Sequence, residues 1–238
     1  MHHVTLDSWS RISSPIHRLD ARAKILAALA ILLSLVLTER AYGWLFGSYL
    51  LLVAALAWTA RLPLAALLLR AGLVVPFAGT LAAVNALGGD SVRAAGVLGK
   101  SYISAFTVLV LLAATPLHGL LRGLELLRVP RFFLMVAQFV YRYLFVLSEQ
   151  AQHMMQARRC RAPRGRRQPL FRSAAGAVTV LFARSYVRAE RIHHAMLARG
   201  FHGHFVLLEQ PSLRVADWVF LAVMAGALAS LRLFLWSL

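Results

Sequence analysis

The sequence predicts an all-α integral membrane protein with about five transmembrane helices and a cytoplasmic helical domain. Hydrophobic residues make up 60% of its 238 residues and charged residues only 15%. A soluble domain carries about 45–50% apolar and about 25% charged residues. Lys and Arg number 26 against 9 Asp and Glu, which gives a net charge of +17. An apolar chain with this excess of basic residues is typical of a membrane protein with a basic cytoplasmic face.

Nucleic acid is the usual alternative partner for a chain with a pI near 11.6. That alternative requires a soluble fold to present the basic patch. It also usually brings many lysines, whereas only Lys24 and Lys100 accompany the 24 arginines. We therefore expect no nucleic-acid partner. The single cysteine, Cys160, excludes an internal disulfide framework.

Five stretches are apolar enough, with their flanks, to span a bilayer, which takes about 20 residues. They are 24–40, 41–58, 64–87, 100–115 and 215–236. The first two are separated only by Glu39 and Arg40 and are expected to form a helical hairpin. Pro76 is expected to kink the third, which ends at Gly88-Gly89-Asp90.

Basic residues predict the orientation, because they concentrate in cytoplasmic loops. Residues 116–214 hold 16 Arg and no Lys against four Glu. Four basic residues precede the first span: Arg11, Arg18, Arg22 and Lys24. We therefore expect a cytoplasmic N-terminus and a C-terminus outside. The predicted domains are a membrane domain at 1–115, cytoplasmic amphipathic helices at 116–214 and a last span at 215–238.

The segment 116–214 is predicted to contain three amphipathic helices. Leucines recur at helical spacing up to residue 127, and Val129-Pro130 ends that first helix. The second runs from Arg131 to about Arg161 and carries a polar stripe within an arc of about 100°. The stripe consists of Arg131, Gln138, Arg142, Glu149, Gln152, His153 and Gln156. Such a stripe favours a helix along an interface over a sixth span.

The third helix is predicted from about Leu170 to Arg199, with Gly200 ending it. Its arginines on one face are Arg184, Arg188, Arg191 and Arg199. Both long helices thus end in a small-Arg-small triplet, Cys160-Arg161-Ala162 and Ala198-Arg199-Gly200. One triplet alone is explained by helix capping, and the arginine face by attraction to anionic lipid headgroups. Two matching triplets favour a functional role.

Two sets of motifs resemble those of a known family. Residues 14–24 read Ser-Pro-Ile-His-Arg-Leu-Asp-Ala-Arg-Ala-Lys. This is similar to the His-Arg-Leu-Asp-Pro-Arg-x-Lys pattern of the transmembrane (T) components of energy-coupling factor (ECF) transporters, with Ala21 in place of Pro. The triplets resemble that family's paired Ala-Arg-Gly signatures. The second is complete, whereas the first has Cys160 and Ala162 in place of Ala and Gly. Arg161 is the matching arginine, with Arg159 as the alternative.

The resemblance implies partners and a role. A T component is a non-catalytic subunit of a bacterial inner-membrane importer. Two ATP-binding cassette (ABC) ATPases hydrolyse ATP, a small membrane S component binds the substrate, and the T component links them. The resemblance assigns contact with the ATPases to the triplet residues: Cys160, Arg161, Ala162, Ala198, Arg199 and Gly200. The N-terminal motif is most similar to the cobalt-type (CbiQ) branch, which implies uptake of cobalt or nickel for cobalamin biosynthesis. A vitamin importer remains an alternative.

Other patterns give weaker indications. Residues 94–101 read AAGVLGKS, which lacks the first Gly of the phosphate-binding loop GxxxxGK[ST], so we expect no ATP site. His202-Gly203-His204 is more typical of a polar turn than of a metal site. A membrane enzyme that binds lipid phosphates through the Arg-rich loop should carry acidic metal ligands nearby, and a secondary transporter should show inverted repeats. We see neither, and we expect no catalytic residue, cofactor or resident metal.

Overall fold

The computed structural model describes residue 14, residues 16–38, 43–161 and 170–201, residue 203 and residues 213–236. These residues form helices and turns and no strand, which confirms the all-α class. The helices are α1 (Ala21–Val36), α2 (Gly43–Thr59), α3 (Leu64–Ala71), α4 (Val75–Leu87), α5 (Ser91–Ala114), α6 (Leu117–Leu126), α7 (Arg131–Arg161), α8 (Leu170–Ala198) and α9 (Val215–Trp236). Short 3-10 turns lie at Ile16–Arg18 and Gly72–Val74.

Within this part of the chain, four helical segments are long and apolar enough to cross a membrane. They are Leu64–Leu87, Ser91–Ala114, Arg131–Cys160 and Val215–Leu233. Helices α1 and α2 have 16 and 17 residues, which is about 24–26 Å at 1.5 Å per residue. The predicted turn at Glu39-Arg40 lies outside the described residues. The chain is a multi-pass integral membrane protein.

Helix α7 meets the length and composition of a span, yet all seven residues of its predicted polar stripe are exposed. Apolar side chains on the same helix are exposed as well, among them Phe132 and Phe133. Length and composition therefore permit α7 to span, while the stripe favours a position along an interface. Its bounds agree with the prediction, as do those of α8 and α9.

The third predicted span is broken where Pro76 was expected to kink it. Helices α3 and α4 are joined by the 3-10 turn Gly72–Val74, and Pro76 stands in the first turn of α4. Proline has no N–H, so the carbonyl of Gly72 would lack a helical donor. The 3-10 turn supplies one, because the N–H of Val75 donates to that carbonyl. This satisfies the backbone at the break, as a bilayer requires.

Helix α5 is longer than the predicted span 100–115, which was wrong at its start. The helix begins at Ser91, directly after Asp90, whose carboxylate pairs with Arg93 at 3.0 Å. Hydropathy identifies only the apolar part of a helix. The first turns of α5 are more polar, so they were left out of the predicted span although they are helical. The Lys100 ammonium donates to the carbonyl of Thr38, beyond the last turn of α1. Residues 94–101 are helical and do not form a phosphate-binding loop.

The chain divides into two compact units. The first contains Met1–Leu127 with Pro211–Leu238, and the second contains Arg128–Gln210. Helix α6, expected with the cytoplasmic segment, lies in the first unit and packs against α1. The core of the first unit brings together α1, α2, α3, α5 and α9. Inside it, the hydroxyls of Ser34 and Tyr49 form a buried hydrogen bond of 2.6 Å.

The contact between α1 and α6 depends on Gly123. A Cβ at this position would lie 3.0 Å from the Cβ of Ala21 and 3.0 Å from the Cδ1 of Ile25. Real Cβ atoms rarely approach so closely, and here one neighbour is attached directly to the α1 backbone. Gly123 therefore allows the two helices to pack in direct contact, as small residues do in membrane proteins.

We expect Gly123→Ala to lower the free energy of unfolding by about 1–3 kcal/mol, because the added methyl overpacks the α1–α6 contact. Thermal unfolding in detergent measures the change. Gly79→Ala is the matched control, since a Cβ there meets nothing within 4 Å. Equal stability of the two variants would contradict the proposed close contact.

Candidate functional site

The two Arg triplets lie at the ends of α7 and α8, as the sequence predicts. Cys160 and Arg161 are the last residues of α7, and Cys160 is exposed. Ala162 and the segment up to residue 169 lie outside the described residues. The structure therefore locates the helix end that carries the first triplet, and it describes the second triplet completely.

The second triplet forms a complete helix C-cap. The N–H of Phe201 donates to the carbonyl of Met196 at 3.1 Å, and the N–H of Gly200 to that of Leu197 at 3.0 Å. Gly200 has a φ of +78°, which glycine adopts at little cost. These bonds constitute a Schellman motif. The capping interpretation thus explains Gly200 through backbone bonds, and it explains Arg199 only as a cation at the negative end of the helix dipole.

The Arg199 side chain is exposed, and within the described residues it makes no ion pair. Its backbone is fixed by the cap that follows it. A guanidinium at the end of a rigid helix presents several donors in a planar fork, which suits bidentate binding of a carboxylate. The guanidinium of Arg199 is therefore accessible at a helix end of defined backbone geometry.

An apolar groove runs between α7 and α8. It has a volume of about 550 Å³. Aromatic and aliphatic side chains from both helices line it, including Phe139, Tyr143, Leu147, Phe182, Tyr186 and Ile192. Phe139 stacks on Tyr143 with ring centroids 6.2 Å apart. This second unit thus leaves a large apolar surface uncovered.

Beside the groove, arginines form a basic depression. Arg184, Arg188 and Arg191 of α8 line it together with Gln150 of α7. All three arginines are exposed. They agree with the predicted arginine face, whose fourth member is Arg199. This face fits either anionic headgroups or acidic protein surfaces.

The N-terminal motif forms a buried polar network in the first unit. Asp217, which is 2% exposed, accepts the N–H of Asp20 at 2.8 Å and that of Arg214 at 2.8 Å. Asp20 in turn caps α1 by accepting the N–H of Arg22 at 2.9 Å. The Lys24 ammonium donates to the carbonyl of Ala114 at 3.2 Å. The motif therefore joins the start of α1 to the end of α5 and the start of α9.

Comparison with known proteins agrees with these features. The sequence profile of the CbiQ family, described as a cobalt transport protein, matches residues 12–209. The chain belongs to the CbiQ family. It is 33% identical over 175 residues to the cobalt transport protein CbiQ of Rhodobacter capsulatus, covering 68% of this chain and 72% of that protein. The resemblance to ECF T components of the CbiQ branch is thereby confirmed.

Two archaeal proteins are also similar. A putative fused cobalt transport protein CbiMQ of Methanocorpusculum labreanum is 28% identical over 252 residues, covering 94% of this chain but only 42% of the fusion. An uncharacterised protein of Methanocaldococcus jannaschii is 23% identical over 245 residues, covering 92% and 82% of the two chains. As a CbiQ family member, the chain is a membrane component of cobalt transport, and the family role is transport rather than catalysis.

The described residues of this CbiQ family chain contain no group of three metal-ligating side chains. His193 and His194 lie on α8 with ring centroids 6.0 Å apart and are exposed. His202 and His204, the candidate pair considered from the sequence, lie outside the described residues.

Sequence reasoning about this CbiQ family chain missed Asp217. The signal was present, because a carboxylate at the start of a predicted span is costly unless it has partners. Its partner Asp20 lies 197 residues earlier in the chain. No local pattern connects positions so far apart.

We expect Asp217→Ala to lower the free energy of unfolding by about 2–5 kcal/mol. The change leaves the N–H groups of Asp20 and Arg214 without their acceptor and removes a carboxylate near the buried Lys24. Thermal unfolding of the purified protein measures it. Asp90→Ala, which removes an exposed carboxylate paired with Arg93, should change stability by less than about 1 kcal/mol. A similar loss in both variants would argue against the network.

Proposed function

We propose that this chain is the T component of an ECF importer for cobalt, which links two ABC ATPases to a substrate-binding S component. The observation that carries the proposal is Arg199, an exposed guanidinium at the rigidly capped end of a long helix in a CbiQ family chain. Membership of the family supports cobalt over nickel and over a vitamin. The importer is proposed to reside in the bacterial inner membrane.

We propose that the second unit transmits movement of the ATPase subunits to the rest of the transporter. Arg161 at the end of α7 and Arg199 after α8 each enter one ATPase subunit, so movement between the ATPases moves the two helix ends. The flanking small residues, Cys160, Ala162, Ala198 and Gly200, allow each arginine to insert closely. ATP is hydrolysed by the partners. Since residues 94–101 are helical, the one sequence pattern near to a phosphate-binding loop supplies no site for ATP.

The fused relative supports a membrane partner. Its name describes a fusion of CbiM and CbiQ in a single chain, and more than half of its length lies outside the match to this chain. Two proteins that are fused in one organism commonly act together where they are separate. An M-type protein is therefore the proposed S component of this chain.

For topology, we propose a cytoplasmic N-terminus, cytoplasmic residues 116–214 and an external C-terminus, from the distribution of the basic residues. A reporter fused after Leu238 should then be active only in a form that works in the periplasm, and one fused within 162–169 only in a cytoplasmic form. Cytoplasmic activity at Leu238 would refute five spans and make α7 the sixth.

The arginine pair is tested by Arg161→Ala, Arg199→Ala and the double change. The wild-type chain should copurify with two ATPases. Removing an interface arginine that pairs with a carboxylate costs about 2–5 kcal/mol, which is about 30- to several-thousand-fold in affinity. We expect strongly reduced cobalt uptake per assembled complex in each single variant, and release of the ATPases from the double variant.

Two controls separate the alternatives. Arg184 lies on the same arginine face as Arg199. If these arginines bind lipid headgroups, Arg184→Ala should reduce cobalt uptake as much as Arg199→Ala does. If Arg199 couples to an ATPase, Arg184→Ala should leave uptake near the wild-type value. Gly200→Ala places a side chain at a φ of +78° and costs about 1–2 kcal/mol of stability. It should lower the amount of folded protein but keep uptake per assembled complex. Normal uptake by the double arginine variant would refute the coupling role.

A further inference from the structure

A polar cavity of about 270 Å³ lies in the first unit, whereas both Arg triplets belong to the second unit. It forms where the N-terminal motif meets the end of α5, the start of α6 and the start of α9. Charged and polar side chains that line it are Asp20, Lys24, Thr115, Arg122, Arg214 and Asp217. Nothing in the coupling role uses this cavity.

The carboxylates of the cavity are already satisfied by backbone groups. Both oxygens of Asp217 accept N–H donors at 2.8 Å, and one oxygen of Asp20 accepts the N–H of Arg22. The Lys24 ammonium is 94% buried, being 6% exposed. Within the described residues it donates to two carbonyls, at 3.2 Å and 3.4 Å, and an ammonium has three donors. Lys24, Arg122 and Arg214 are the Lys and Arg residues of the lining.

Two kinds of hydrogen-bond donor lie at the cavity: the Thr115 hydroxyl and the first N–H groups of α6. The Thr115 side chain is 3% exposed, and its hydroxyl has no hydrogen-bond partner within the described residues. Helix α6 begins directly afterwards, and its N-cap is Pro116, which provides no side-chain cap. The first N–H groups of a helix need an external acceptor. Gly119, in this first turn, also lines the cavity.

We propose that this cavity binds a phosphate-bearing anion. The Thr115 hydroxyl and the first turn of α6 donate hydrogen bonds to it, while Lys24 and Arg122 balance its charge. Helix α5 ends at the cavity and α9 begins there, and both are long enough to cross a membrane. The cavity therefore lies at the membrane–water boundary, where phospholipid phosphates are found. A phospholipid headgroup and free phosphate share this chemistry.

The test uses the full chain in detergent. Phosphatidylglycerol is titrated while native mass spectrometry counts the bound lipid, and inorganic phosphate is titrated while the unfolding temperature is followed. We expect at least one of the two to bind, and Thr115→Val and Arg122→Gln each to weaken that binding about tenfold or more. Arg122→Lys, which keeps the charge, should bind more tightly than Arg122→Gln.

Two controls are matched to these changes. Thr59→Val removes an exposed hydroxyl that already bonds within its own helix, and Arg93→Gln removes an exposed arginine at the other end of α5. Both should bind like wild type. Lipid binding alone identifies a headgroup, and phosphate binding alone identifies a free anion. The proposal is overturned if neither ligand binds, or if the cavity variants bind as tightly as the controls while their unliganded unfolding temperatures show that they are folded.

Discussion

A carboxylate at the start of a membrane helix needs hydrogen-bond donors, and Asp217 obtains one nearby and one from the other end of the chain. It accepts the N–H of Asp20 before α1 and the N–H of Arg214 before its own helix. The Lys24 ammonium donates to the carbonyl of Ala114 and so connects the end of α5 to this network. The first, fifth and last helices are thereby fixed at one end of the membrane unit. The N-terminal motif that resembles the ECF pattern thus holds three helix ends together.

Most of the fold could be predicted from periodicity and from the residues that end helices. The bounds of α7, α8 and α9, the break before Pro76 and the glycine after α8 all followed from local patterns. The start of α5 did not, because the hydropathy of a span excludes polar turns that are nonetheless helical. The grouping of α6 with α1 also could not be predicted, since it depends on the space that Gly123 leaves beside Ala21.

The positions of the two Arg triplets could be predicted, whereas the polar network and the cavity could not, because only the triplets are local patterns. Both triplets are short, local patterns, so the sequence alone could place them at helix ends. Asp217 bonds to Asp20, which lies 197 residues earlier, and Thr115 and Arg122 line the same cavity as these two carboxylates. No spacing rule relates positions so far apart in the chain. An uncapped helix that begins after a buried threonine becomes visible only when the surrounding helices are in place. Long-range polar contacts are therefore what the structure adds.

At the end of α8, Gly200 terminates the helix, while the adjacent Arg199 presents an exposed side chain. Gly200 ends the helix through backbone atoms alone, so the cap bonds do not involve the side chain of residue 199. Selection for folding and selection for partner recognition then act on neighbouring but separate positions. A single replacement at residue 199 can therefore change the side chain that the helix end presents without rebuilding the cap. Such a division allows a transporter subunit to change partners during evolution while its architecture stays constant.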